Sequence, residues 1–327
     1  MQYRRLGSTG LPVSALSLGA WLTFGAQLGR GTARDLVAAA WDAGINLFDN
    51  AEGYAHGAAE EVMGDVIADL RLPRDGYCVT SKVFFGSVEH PRPTQRGLSR
   101  KHVVDACHGA LRRLRVDYLD LYFCHRPDPD VPVAETVMAM DTLVRQGKVL
   151  HWGTSEWPAA LIREAHDVSR KHHLAAPAME QPQYSLLARQ RVELEYAPLY
   201  REYGMGTTTW SPLASGVLTG KYDDAVVEAA AGTPAQGRDG LSWLARSIPH
   251  ATVEESLARA RRFTACAREL GEAPAPLALA WCLRNPHVSS VILGASRVGQ
   301  LLENLTALDV LTRVEEAGWK RVEAAVA

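Results

Sequence analysis

The chain has 327 residues, 47% hydrophobic and 22% charged, a composition that supports an ordinary globular core. Its 35 Lys and Arg against 37 Asp and Glu leave a net charge of −2, which gives no basis for a polyanionic partner such as nucleic acid. The 5 cysteines, Cys78, Cys107, Cys124, Cys266 and Cys282, are odd in number and form no C-x-x-C pair, which argues against a disulfide framework or a metal site and suits a reducing cytoplasm.

At the N-terminus, Arg4 and Arg5 are followed by no apolar run, so no leader peptide is expected. No stretch approaches the ~18 apolar residues that membrane insertion requires. Residues 3–14 carry a Ser8-Thr9-Gly10 turn between short extended runs and predict a small hairpin. Short apolar runs then recur at 13–20, 45–50, 77–83, 117–125, 149–155, 178–183, 205–211 and 288–293. Most are too short for helices, and several are apolar throughout, as parallel strands covered on both faces are.

Helical patterns fill the gaps. Thr32 and Asp35 resemble a capping box that opens a helix ending at Gly44, and a helix over 60–70 follows. Ser99 caps a helix through Val103, Ala106, Leu111 and Leu114. Pro132 and Pro158 mark two more helix starts, the first of these helices ending at Gly147. Further helices cover 192–203, 253–270 and 276–284, and 311–327 reads as an extra amphipathic helix with Val314, Trp319 and Val322 on its apolar side. Residues 84–99 and 222–252 break the rhythm as long loops, the second rich in Ala and Gly and read as mobile.

Strands alternating with helices in this number predict an α/β fold, a closed (β/α)8 TIM barrel. A doubly wound sheet is the competing fold, but the first strand runs into Leu18-Gly19-Ala20-Trp21 with no G-x-G-x-x-G turn. No low-complexity linker interrupts the chain, so 1–327 reads as one domain.

Barrel enzymes carry their chemistry at the carboxyl ends of the strands. Here those ends read Phe48-Asp49-Asn50 with Tyr54 just beyond, Thr80-Ser81-Lys82, and Phe123-Cys124-His125. A carbonyl that accepts hydride builds negative charge on oxygen and needs a proton there. Tyr54 can supply it, a Lys82 cation would lower the phenol's pKa, Asp49 would hold that cation, and His125 would orient the carbonyl. Taken singly, Asp49 reads equally well as a helix cap, Lys82 as a structural ion pair, Tyr54 as a packed loop aromatic and His125 as a structural imidazole. Their arrival on consecutive strand ends favours a shared function.

The whole chain resembles the aldo-keto reductases, within them the branch containing the voltage-gated potassium channel β subunits and their bacterial relatives. The motifs that carry the resemblance are Phe48-Asp49-Asn50-Ala51-Glu52-Gly53-Tyr54, Thr80-Ser81-Lys82 and His125-Arg126-Pro127-Asp128-Pro129. Then come Gly153-Thr154-Ser155-Glu156-Trp157, Glu180-Gln181-Pro182-Gln183-Tyr184, Thr209-Trp210-Ser211-Pro212-Leu213-Ala214-Ser215-Gly216, Gly294-Ala295-Ser296 and Glu303-Asn304.

The resemblance implies a catalytic tetrad of Asp49, Tyr54, Lys82 and His125, and an extended NADPH across the barrel mouth. Ala20, Trp21, Gln27 and Asp49 would lie against it. Ser155 and Gln181 would hydrogen-bond the carboxamide, and Trp210 would stack on the nicotinamide, although an aromatic at a strand end also packs cores. Ser211, Pro212, Leu213, Ala214 and Ser215 with Lys221 would wrap the pyrophosphate, with Arg238 adding charge. Gly294, Ser296, Gln300, Glu303 and Asn304 would hold the adenosine end. Arg297 reads as a clamp on the 2′-phosphate or as a solvated arginine at a helix start. Trp21, Phe24, Phe84 and Phe85 would wall the substrate pocket.

Two departures follow from the same resemblance. Channel subunits of the branch carry other residues where His125 stands and turn over slowly, so His125 favours a working reductase. Glu156 stands where they carry a basic residue, and it reads either as an acceptor for the carboxamide or as a solvent-facing carboxylate.

The first hypothesis is therefore a cytoplasmic NADPH-dependent reductase of aldehydes and ketones, with the homo-oligomeric habit that the resemblance implies. The second is an NADP(H)-binding regulatory subunit with little turnover. The third is Schiff-base chemistry on Lys82, which the cofactor motifs disfavour.

Overall fold

A computed structural model describes residues 1–21, 24–25, 29–221 and 252–327. Gln27, Arg238 and residues 222–251 lie outside the described residues. Strands β1 (Tyr3–Arg5) and β2 (Pro12–Ser14) form the antiparallel hairpin that the Ser8-Thr9-Gly10 turn predicts. Strands β3 (Leu16–Gly19), β4 (Leu47–Asp49), β5 (Cys78–Val83), β6 (Leu119–Cys124), β7 (Val149–Thr154), β8 (Met179–Glu180), β9 (Gly206–Thr209) and β10 (Val288–Leu293) are parallel and close into a barrel, with β10 pairing both β9 and β3. This is the TIM-barrel fold that the alternation implies.

The single run expected at 13–20 is two strands. Val13 pairs with Arg4 in the hairpin, whereas the Ala15 carbonyl already accepts from Val291 of the barrel. The chain changes partners at Ala15, and an apolar pattern cannot register that change because both sides are buried.

Alternation along the strands builds the interior. Leu47, Cys78, Leu121, Phe123 and Met179 form one inner cluster, and Leu6 and Val13 of the hairpin plug its lower end. Counting on by two from these positions reaches Asp49, Lys82 (through Thr80), His125 and Gln181. The inward face that starts as a dry plug thus ends as a polar rim. The opposite faces pack on the helices α1 (Arg30–Asp42), α2 (Ala58–Leu70), α3 (Arg100–Leu114), α4 (Val133–Arg145), α5 (Ala159–His172) and α6 (Ala197–Tyr203). Later helices are Val253–Glu269, Pro274–Arg284, Val298–Leu305, Ala307–Arg313 and Glu316–Val326.

Several local expectations change. Helix α1 starts at Arg30 with Gly29 as its N-cap and no side-chain cap, which puts Thr32 inside the first turn. A true capping box forms instead at Thr252 and Glu255, each side chain bonding the other's backbone N–H at 3.2 and 2.8 Å. Ser99 does cap α3, accepting from His102 N at 3.3 Å. The run 192–203 opens with a π-turn, Arg191–Glu195, before α6. The tail is two helices that part at Val314, whose backbone is extended.

Tight strand contact makes Gly153 indispensable. A Cβ there would stand 2.2 Å from the Met179 carbonyl oxygen on the paired strand. Backbone cannot yield as a side-chain tip can, so Gly153→Ala is expected to lower unfolding free energy by about 2–3 kcal/mol. Urea denaturation measures it, and a loss under about 0.5 kcal/mol would mean that β7 and β8 separate easily.

Candidate active site

The rim residues converge on one ammonium. Lys82 is fully buried, and its Nζ donates to Asp49 Oδ2 at 2.6 Å, to the Asn50 carbonyl at 2.8 Å and to the Tyr54 hydroxyl at 2.9 Å. An ammonium has three protons, so all are placed. Asp49 Oδ1 accepts from Thr80 Oγ1 at 2.8 Å and from Gln181 Nε2 at 2.9 Å, which ties β4, β5 and β8 together at the cleft floor. Tyr54 Oη accepts from Lys82 and keeps its own O–H to donate. The His125 ring lies edge-on to Tyr54, centroids 5.8 Å apart, and its Nδ1 is buried with no hydrogen-bond partner among the described residues.

Burial sets the protonation states. It pushes the Tyr54 phenol well above its usual pKa, the Asp49 carboxylate adds to this, and the Arg126 guanidinium opposes it. The sequence argument expects the Lys82 cation to lower that pKa, whereas burial sets the opposite direction. Burial also pushes Lys82 down, against the pull of Asp49. His125 falls well below its usual value through burial, then through the Lys82 and Arg126 charges. The site therefore holds a protonated phenol beside a neutral imidazole.

A carboxylate that sequence reasoning passed over fixes the loops. Glu52 Oε1 accepts from the backbone N–H of Phe84 at 2.8 Å and Gly86 at 2.9 Å, and lies 3.1 Å from His102 Nε2. It staples the loop after β5 to the turn that carries Tyr54, and its place in the motif beside Tyr54 was the available signal.

The cleft extends from this floor over about 1410 Å³. Its lining includes Trp21, Asp49, Tyr54, Phe85, His125, Ser155, Gln181, Trp210, Ser211, Pro212, Leu213, Ser215 and Lys221. It continues past Gly294, Ser296, Arg297, Gln300, Glu303 and Asn304. Arg126, Gln183 and Arg191 also line it, although the sequence reading gave them no role.

Four expected wall or cofactor residues are elsewhere. Phe24 is fully buried in the core, drawn in by its N–H bond to the Ala20 carbonyl at 3.1 Å. Ala20 is fully buried too, its N–H bonded to the Asp49 carbonyl. Phe84 stands behind Phe85, ring centroids 5.1 Å apart, and Ala214 is buried beneath its loop. Trp21 and Phe85 form the aromatic wall.

Glu156 is neither solvent-facing nor spare. It accepts from Gln183 N at 2.6 Å, Trp210 Nε1 at 3.1 Å and Arg191 Nη1 at 2.5 Å. The indole of Trp210 is held at the cleft wall by this carboxylate, edge-on to Trp21 with centroids 6.0 Å apart.

The cleft residues fit an extended dinucleotide. After Trp210 the backbone takes positive φ at Ser211 (54°), Ala214 (46°), Ser215 (57°) and Gly216 (86°). The Ala214 and Gly216 N–H groups donate to the Ser211 and Leu213 carbonyls and brace the loop, a kind of turn that cradles anions on its remaining N–H groups. Lys221 Nζ lies 2.6 Å from where a Cβ on Gly216 would sit, so an ammonium closes the cradle. Ser155 Oγ donates to the Gln181 carbonyl at 2.8 Å, which joins the two residues expected at the carboxamide. At the far end, the Asn304 amide nitrogen is buried without a hydrogen-bond partner among the described residues.

Comparison with known proteins agrees with this geometry. The sequence profile of the aldo/keto reductase family matches residues 15–327. The chain belongs to the aldo/keto reductase family. Curated relatives include a probable voltage-gated potassium channel subunit beta of Oryza sativa subsp. japonica, 47% identical over 100% of this chain and 97% of that protein. A protein of the same name from Arabidopsis thaliana is 45% identical, covering 95% of this chain and 92% of its own length. A putative voltage-gated potassium channel subunit beta of Schizosaccharomyces pombe is 41% identical over 98% and 92%. Family membership supports oxidoreductase chemistry with a nicotinamide dinucleotide. No helix among the described residues is long and apolar enough to cross a membrane.

Proposed function

We propose that this aldo/keto reductase acts as one cytoplasmic domain over 1–327, reducing aldehydes or ketones to alcohols with NADPH. The observation that carries the reading is the Asp49–Lys82–Tyr54 chain, with Nζ at 2.6 Å from the carboxylate and 2.9 Å from the phenol, beside a neutral His125. A nicotinamide held beside Trp210, Ser155 and Gln181 would supply hydride to the carbonyl carbon. Tyr54 donates its proton to the oxygen as charge develops there. Lys82, already 2.9 Å away, stabilises the phenolate that remains until water reprotonates it. Asp49 keeps Lys82 charged and aimed, and an N–H of His125 orients the carbonyl oxygen. Arg297 at the adenosine end suits a 2′-phosphate and favours NADPH over NADH.

The names of the relatives favour a second reading, a regulatory NADP(H)-binding subunit with little turnover that works within an assembly. His125 weighs toward turnover. The deciding measurement is NADPH oxidation, followed by absorbance, with a panel of aromatic and aliphatic aldehydes. Turnover supports the reductase; tight NADPH binding with no turnover on the whole panel supports the regulatory subunit.

The raised Tyr54 pKa adds a pH prediction. Reduction needs the phenol and reverse oxidation the phenolate. Reductive kcat is thus expected to stay flat between about pH 6 and about pH 9, while alcohol oxidation climbs with pH over the same range. A reductive kcat that halves near neutral pH would point to another proton donor.

A further inference from the structure

Arg126 follows His125 in the cleft wall, and no step derived above uses it. Its Nη1 donates to the His125 carbonyl at 2.5 Å and approaches Ser155 Oγ at 3.5 Å, and its guanidinium carbon stands 5.8 Å from the Phe85 ring centroid. Both acceptors are uncharged, and no ion pair to Arg126 forms among the described residues. The neighbouring cations are matched: Lys82 by Asp49 at 2.6 Å, and Arg191 by Glu156 at 2.5 Å and Glu195 at 3.4 Å. The Arg126 charge also reaches the chemistry, since it opposes the rise of the Tyr54 pKa and adds to the fall of His125.

A guanidinium has five N–H donors in a planar fork, and the described contacts engage Nη1 alone. The Nε and Nη2 edge matches the two oxygens of a carboxylate. We propose that Arg126 receives a carboxylate on the substrate, so that the preferred carbonyl compounds are oxo acids. This rests on the reductase reading. The carbonyl sits at Tyr54 and His125, the apolar body lies between Trp21 and Phe85, and the acid lies on Arg126. One unmatched cation suits a monoanion; a phosphate dianion would call for a second at this wall.

The test compares meta-carboxybenzaldehyde with meta-carbamoylbenzaldehyde, which has nearly the same shape and no charge. Taking the acid-to-amide ratio of kcat/KM in wild type and variants cancels the aldehydes' intrinsic reactivities. Arg126→Gln is expected to lower that ratio by at least about ten-fold, and Arg126→Lys, which keeps the charge but loses the fork, by less. A second readout needs no turnover: benzoate binding to the NADP-loaded protein, followed by tryptophan fluorescence, is expected to weaken by a similar factor in Arg126→Gln. Circular dichroism and NADPH affinity confirm that each variant folds. Turnover with an unchanged ratio overturns the carboxylate site and leaves the reductase standing. Arg126-dependent benzoate binding without turnover of either aldehyde overturns the reductase and leaves the carboxylate site.

Discussion

Replacing Tyr54 by Phe is expected to lower kcat for aldehyde reduction by about 10²–10⁴-fold, the usual contribution of a positioned acid. NADPH affinity should change little. The substitution removes one oxygen and keeps the ring, so the edge-on contact with His125 and the tilted contact with Trp21 both persist. What disappears is the Tyr54 O–H at the cleft floor, together with one of the three acceptors of Lys82. Lys82 retains Asp49 and the Asn50 carbonyl, so the fold should lose only about 1 kcal/mol. Stopped-flow turnover with a good aldehyde, alongside NADPH titration by fluorescence, separates the two effects. A loss of less than about ten-fold would remove Tyr54 as the proton donor. His125, neutral and with a ring nitrogen unpartnered among the described residues, would then be the group to examine.

Much of this site is legible in the sequence because the barrel's geometry is periodic. Once 47, 78, 121 and 179 are taken as inward, counting by two delivers Asp49, Lys82, His125 and Gln181 to one rim. Tyr54 lies beyond the strand, and only its motif placed it. The errors have physical sources. The strand at 13–20 split because burial was continuous while pairing partners changed. Thr32 failed as a cap because Gly29 starts the helix three residues earlier, whereas the same residue pattern succeeds at Thr252. Phe24 and Phe85 are alike in sequence terms, yet one is fully buried and the other is 46% exposed at the cleft.

Electrostatics was the least legible part. The sign of the Tyr54 shift depends on how dry the floor is, and composition does not report that. The role of Glu156 needed three donors from residues 183, 191 and 210, which come together only when the barrel closes. A carboxylate beside a strand end looks the same in sequence whether it meets solvent or holds an indole.

The Lys82–Asp49 pair gives the largest expected stability effect. Lys82→Met keeps length and apolar stem but leaves the Asp49 carboxylate buried, with Thr80 Oγ1 and Gln181 Nε2 as its remaining side-chain donors among the described residues. Removing one partner of a buried ion pair costs about 3–5 kcal/mol, because the remaining charge has lost its compensation. Asp49→Asn in the same background removes that charge while keeping a hydrogen-bonding group of the same shape. The double variant is therefore expected to recover most of the lost stability in urea unfolding, its cost lying well below the sum of the two single variants. Activity should not recover, since the phenolate formed at Tyr54 would still lack its cation. Stability and turnover thus part company in the double variant. Recovery of both would make Lys82 a structural ion pair, and a Lys82→Met cost below about 1 kcal/mol would mean that water reaches the pair.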